Sequence, residues 1–165
     1  MADPVVIEDY DPNWPQLFET LRSQLALALT GLASSIDHVG STAVPGLAAK
    51  PIIDIDVLLR SSAKLPEVIR QLETLGYEYQ GDLGVRGREV FRSKAAAVRH
   101  HLYVHAPASH EYARHVAFRN HLRTHAEDAR AYAALKREAA SKFGADRQAY
   151  TDAKSAFMQH ILDEA

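Results

Sequence analysis

The chain has 165 residues, 47% of them hydrophobic and 24% charged, with a formal net charge of −2. That is long enough for one domain with a full core, too ordinary in composition for a disordered segment, and without the global positive field that draws a protein to nucleic acid. Cysteine is absent, which excludes a disulfide framework, a thiolate zinc site and a cysteine nucleophile and suits a cytoplasmic setting.

In chain order, Met1-Ala2-Asp3-Pro4 lacks the basic-then-apolar layout of a signal peptide, and no apolar run is long enough to span a bilayer, so no membrane partner is expected. Val5-Val6-Ile7-Glu8 is a candidate strand. Asp11-Pro12-Asn13 opens a helix in which Trp14, Leu17, Phe18, Leu21 and Leu25 fall on one face, closed by Gly31. Ile36–Val39 is a strand running into Gly40. Ile52–Leu59 is a strand apolar enough to lie inside a sheet. Leu65, Val68, Ile69, Leu72 and Leu75 make a second amphipathic helix stopped at Gly76. Tyr77–Tyr79 and Glu89–Arg92 are strands around the Gly-rich loop Gly81–Arg88, and Val98–His105 is another.

After Pro107 the chain has no further proline and one glycine, Gly144. Three helices fit, over Glu111–His125, Glu127–Phe143 and Arg147–Asp163, with Ser109 and Asp146 as N-caps. The fold class is therefore α+β. A single domain, 1–165, combines a mixed β-sheet with flanking helices over 1–107 and a C-terminal three-helix cap over 108–165. A ligand is expected in the cleft between them.

The chemistry concentrates in residues 38–57. Alternation along a strand puts Asp54 and Asp56 on one face while Ile53, Ile55 and Val57 take the other. Adjacent carboxylates repel, and a divalent cation is one remedy; an exposed edge is the other. Upstream, Gly40 lets backbone N–H groups approach a phosphate, and Ser41 and Thr42 can add hydroxyl contacts, although Gly-Ser-Thr is also an ordinary turn. His38 is placed to brace that turn.

A Gly-Ser turn followed at this distance by Asp-X-Asp resembles the signature of the nucleotidyltransferase superfamily, with its polymerase-beta-like fold. The fuller string Gly40-Ser41-Thr42-Ala43-Val44-Pro45-Gly46-Leu47-Ala48-Ala49-Lys50-Pro51-Ile52-Ile53-Asp54-Ile55 resembles the GrpB-like family within it. The similarity runs through Tyr10–Pro15, Leu75-Gly76-Tyr77, His101–Val104, Phe118–Arg123, Tyr132–Lys136 and Tyr150–Lys154. It implies a sheet of nucleotidyltransferase type. It also implies metal-dependent transfer of a nucleotidyl group from a nucleoside triphosphate to a small acceptor, with Gly40, Ser41 and Thr42 on the phosphates and Asp54 and Asp56 on Mg2+ or Mn2+.

Two positions depart from the pattern. The strand that carries a third carboxylate in the superfamily reads Arg99-His100-His101-Leu102-Tyr103-Val104-His105 here, with Tyr103 where the family has histidine. Asn120 stands where the family has aspartate. His101 is the replacement expected as base or metal ligand, and an imidazole beside carboxylates also admits Zn2+.

In the cap, Arg119 and Arg123 share a helical face, and Tyr132/Lys136 and Tyr150/Lys154 repeat the spacing. Facing the cleft, Arg119, Arg123, Lys136 and Lys154 would hold phosphates; facing water, they are solvated surface. Lys50 either offsets the aspartates or is surface. The remaining histidines, His110, His115, His121, His125 and His160, are expected mostly in solvent, and His100 is expected to point away from His101. A non-catalytic nucleotide or metal binder, a phosphohydrolase using His101, His105 and the aspartates, and a structural adaptor are the competing readings. A basic surface that would point to nucleic acid as the acceptor is not evident.

Overall fold

The alternation of residues 53–59 produces a strand with two chemically different faces, and the rest of the molecule is arranged around them. Among the described residues, 5–94 and 96–164 of the computed structural model, the strands are β1 (Ala33–Val39), β2 (Ile53–Leu59), β3 (Tyr77–Gly81), β4 (Arg88–Ser93) and β5 (His100–His105). The helices are α1 (Trp14–Ala28), α2 (Leu65–Thr74), α3 (His110–Thr124), α4 (Ala126–Phe143) and α5 (Arg147–Glu164). The strands form one mixed sheet in the order β1-β2-β5-β4-β3, with β2 and β5 parallel and the other neighbours antiparallel. The Met1–Pro4 stretch lies outside the described residues.

The apolar face of β2 and β5, with Ile53, Ile55, Val57, Leu102 and Val104, is fully covered by Trp14 and Leu25 of α1 and Val68 and Leu72 of α2. Burial of each such side chain stabilises the fold by roughly 1.5–3 kcal/mol. The opposite face is polar. Asp54 stands beside His101 and Asp56 beside Tyr103 across the parallel pair, while Val39 and Asp37 face the two aspartates from β1. Helix α3, capped by Ser109 through the Tyr112 N–H, lies over this face. It is joined to α4 and α5 in a second apolar cluster of Phe118, Leu122, Tyr132 and Ile161, which also takes Val44 and Leu47 from the loop after β1. The sheet and the helical cap therefore share one loop, the loop that begins at Gly40.

Several local expectations need correction. Val5–Glu8 makes only a single bridge, Glu8 with Ala49, through N···O contacts of 2.9 Å each way. The next pair of such a ladder would bring in Pro51, which has no N–H to donate. Helix α1 stops at Ala28, three residues before Gly31, whose positive φ of 77° serves the turn that follows. Leu75 is the residue that ends α2 and is exposed, so it is not part of the buried stripe. The strand expected from Val98 starts at His100.

Candidate functional site

At the C-terminal end of β1 the chain turns at Gly40, with φ 75° and ψ −175°, into a short 3-10 helix, Ser41–Ala43. This is a backbone region essentially confined to glycine. A side chain is excluded for a second reason: a Cβ on Gly40 would lie 2.3 Å from Asp54 Oδ2. The turn is braced from behind. His38 Nε2 is 2.8 Å from Thr42 Oγ1, and the His38 ring stacks on Phe18 at 4.6 Å. Burial lowers the His38 pKa to about 4, which keeps the ring neutral. Thr42, expected on phosphate, has its hydroxyl engaged with His38 and is almost fully buried. Ser41 keeps its hydroxyl toward the helical cap.

A cavity of about 350 Å³ opens in front of this turn, between sheet and cap. Gly40, Ser41, Lys50, Asp54, His101, Arg119, Lys136 and Lys154 all contribute to its walls, as do Tyr103, His115, Tyr132 and Tyr150. One side is cationic. Lys136, 1% exposed, reaches from α4 to donate to Ser41 Oγ at 2.7 Å and to the Ala48 carbonyl, with its ammonium 4.8 Å from the Tyr132 ring centroid. Lys50 and Lys154 both stand over the Tyr150 ring, at 5.2 and 4.8 Å. Burial lowers the Lys136 pKa to about 7, helped by repulsion from Lys154 and Lys50; Lys154 falls to about 8 for the same two reasons, burial and Lys50. Burial also lowers Lys50. Asp54 acts against all three shifts, so it is the counter-charge of this cluster. Across the cavity, Asp54 Oδ1 is 3.0 Å from His101 Nδ1.

The two arginines hold the protein itself. Arg119 donates to the His38 carbonyl at 3.0 Å and lies 3.6 Å from Asp37; Arg123 donates to the Ala43 carbonyl at 2.9 Å and is not part of the cavity wall. They pin the Gly40 loop to α3 from its two ends. Asn120 is exposed and accepts from Arg119 Nε.

Asp56 behaves differently from Asp54. It is fully buried, with Oδ2 2.7 Å from His115 Nδ1 and Oδ1 3.1 Å from His105 Nε2. Burial would raise the carboxyl, but the two imidazoles outweigh it and the pKa falls. Burial likewise opposes a charge on His115, yet the bonds to Asp56 and then Glu111 raise its pKa to about 9. His115 holds Glu111 in turn, and together with Arg114 brings it down to about 2 against its own desolvation. The expected ligand set of Asp54, Asp56 and His101 is thus divided: among the described residues the three groups close enough to share an ion are Asp56, His105 and His115. The physical reason is that α3 covers Asp56 and presents His115 to it. His115, one of the histidines expected mostly in solvent, instead pairs with Asp56 and lines the cavity, a placement the sequence reading missed. The helical spacing that singled out Arg119 and Arg123 extends back one turn to His115 and would have placed it on the same face.

The family model described as GrpB protein matches residues 4–164. The chain belongs to the GrpB protein family. A UPF0157 protein of Pseudomonas aeruginosa is 40% identical over an alignment of 172 residues that takes in 99% of this chain and 68% of that protein. The crystal structure of GrpB from Enterococcus faecalis superposes with a TM-score of 0.87 at 34% identity, covering 96% of each chain. Cid1 in complex with its short product ApU superposes with a TM-score of 0.52 at 14% identity, over 79% of this chain and 42% of that one. At that identity the likeness is one of fold alone. Among the described residues no helix is long and apolar enough to cross a membrane.

Proposed function

We propose that this GrpB protein binds a nucleoside triphosphate in the cavity beneath the Gly40 turn and transfers its nucleotidyl group to a small acceptor. The observation that carries the reading is Lys136. A buried ammonium bonded to Ser41 at the foot of a glycine turn, with two further lysines around it, is costly for folding and useful for holding polyphosphate. Ser41 and the three lysines would take the phosphate tail. Asp54 is the carboxylate that would hold Mg2+ or Mn2+: it faces the cavity, its oxygen lies in the space that Gly40 leaves clear, and Mg2+ is served by one or two carboxylates together with substrate phosphates. Asp56 is tied to two imidazoles and adds no ligand in this arrangement. When bound, the ion would neutralise charge on the phosphates during transfer.

His101, half exposed and oriented by Asp54, is the candidate base. The acceptor hydroxyl would attack the α-phosphorus, the bond from that phosphorus to the bridging oxygen would break, pyrophosphate would leave, and the hydroxyl proton would pass to His101 Nε2. The withdrawal of Asp56 and the lack of a third carboxylate favour a second reading, a nucleotide binder without turnover, and the same site on bound water would make a phosphohydrolase.

Calorimetry with a non-hydrolysable nucleoside triphosphate tests the binding step. Binding is expected to need Mg2+ or Mn2+, to lose that dependence in Asp54→Asn, and to weaken roughly five- to tenfold in Ser41→Ala through the lost hydrogen bond. Unchanged affinity in both variants would remove the nucleotide from this cavity. Pyrophosphate release that requires a metabolite pool supports the transferase; release without an acceptor supports hydrolysis, and binding with no turnover supports the sensor.

A further inference from the structure

We propose that Asp56, His105 and His115 form a second metal site, for a transition ion such as Zn2+ rather than Mg2+, buried between the sheet and α3 and separate from the Asp54 carboxylate of the cavity. The three ligands come from β2, β5 and α3, and one ligand atom from each lies within 4.8 Å of the others. Asp56 Oδ1 and His105 Nε2 are buried and 3.1 Å apart, yet are not aligned as a hydrogen bond and have no other hydrogen-bond partner. Buried polar atoms are seldom left in that condition, and a cation between them would satisfy both.

The outer groups are also those of a metal centre. His105 Nδ1 is 3.0 Å from Ser109 Oγ, and His115 Nε2 is 3.4 Å from Glu111, so each ring turns its other nitrogen toward Asp56. A histidine ligand is usually held this way, through a hydroxyl or carboxylate on its far nitrogen. Two imidazoles and one carboxylate suit Zn2+, Mn2+ or Fe2+, whereas Mg2+ prefers oxygen. Zinc bond lengths of about 2.0–2.2 Å place tetrahedral ligand atoms about 3.3 Å apart. An ion here therefore requires the contacts of His115 with Asp56 Oδ2, 2.7 Å, and of His105 with Asp56 Oδ1, 3.1 Å, to open slightly, and the ligand nitrogens of the two rings, within 4.8 Å, to stand at a comparable spacing. Bound there, the ion would displace the proton that His115 shares with Asp56 and would tie α3 to the sheet, the two walls of the cavity.

The test uses the full chain, stripped with a chelator and titrated with Co2+ and then Zn2+, following Co2+ visible absorption and the melting temperature. The expected result is one equivalent of each ion, the absorption of a four- or five-coordinate nitrogen-oxygen site, and a higher melting temperature. His115→Gln should weaken binding at least about tenfold, and Ser109→Ala, which removes only the support of His105, should weaken it by a similar factor. Asp54→Asn should bind Co2+ as the wild type does, which keeps this result independent of the nucleotide reading. No stoichiometric binding by the folded wild type would overturn the proposal and leave Asp56 with His115 as a plain ion pair. Binding that survives both His115→Gln and Ser109→Ala would also overturn it, locating the ion elsewhere. Loss of binding in Asp54→Asn would overturn the separation of the two sites.

Discussion

Lys136→Met should lower triphosphate affinity by roughly 10- to 100-fold while making the protein more stable at pH 6 and no more stable at pH 10. The affinity loss is that of a charge-assisted hydrogen bond in a dry site, about 1.5–3 kcal/mol. The stability effect follows from linkage. The Lys136 pKa is about 7 in the folded protein against an ordinary 10.5. Below pH 7 both states carry the proton, and the folded state bears the whole cost of the buried charge. Between pH 7 and 10.5 the unfolded chain binds more protons, so wild-type stability rises with pH; above 10.5 the cost has gone. A shift of that size corresponds to several kcal/mol. Methionine removes this titration but leaves Ser41 Oγ and the Ala48 carbonyl without their donor, a loss of about 1–3 kcal/mol. The two stability curves, measured by urea denaturation, should therefore cross between pH 6 and 10; parallel curves would show that Lys136 is not a buried charge.

The same groups govern binding. A polyphosphate beside Lys136 and Lys154 would raise both pKa values, so at pH 8 complex formation should take up protons and affinity should fall as the pH climbs from 7 to 9. Calorimetry in buffers of different ionisation enthalpy measures the uptake directly. Structural lysines that meet no anion would show none.

Much of this was legible in the sequence because it rests on periodicity. The two faces of β2 follow from alternation, and the helical spacing with the family resemblance leaves Lys136 open between the cleft and solvent, a choice that its bond to Ser41 decides for the cleft. Depth was not legible. Asp54 and Asp56 point the same way, but two residues of strand carry the second about 6.6 Å further along the sheet, under α3, where 59 residues of sequence separation bring in His115. Nor does spacing say what a cation meets. Arg119 and Arg123 share a helical face as read, yet both engage main-chain carbonyls, His38 and Ala43, which no side-chain pattern announces. Proline chemistry misled in the other direction: Val5–Glu8 has strand composition, but its partner segment runs into Pro51.

Gly40→Ala, set against Gly46→Ala, separates the site from mere backbone strain. Both glycines have positive φ, 75° and 82°. At Gly46 a Cβ would meet nothing within 4 Å, so alanine there costs only the backbone preference, roughly 1–2 kcal/mol. At Gly40 the backbone strain of about 1–3 kcal/mol is joined by a Cβ at 2.3 Å from Asp54 Oδ2 and 3.0 Å from the Asp54 Cβ and Cγ. Asp54 cannot swing aside cheaply, since Oδ1 is bonded to His101 and its strand is interior to the sheet. Either the turn lifts away from β2, taking Ser41 off Lys136, or Asp54 leaves the lysine cluster that it balances. Gly40→Ala is therefore expected to lose more stability than Gly46→Ala and, alone of the two, to lose metal-dependent triphosphate binding even where it remains folded. Equal behaviour of the two variants in both measurements would mean that the Gly40 turn serves the fold and not a ligand.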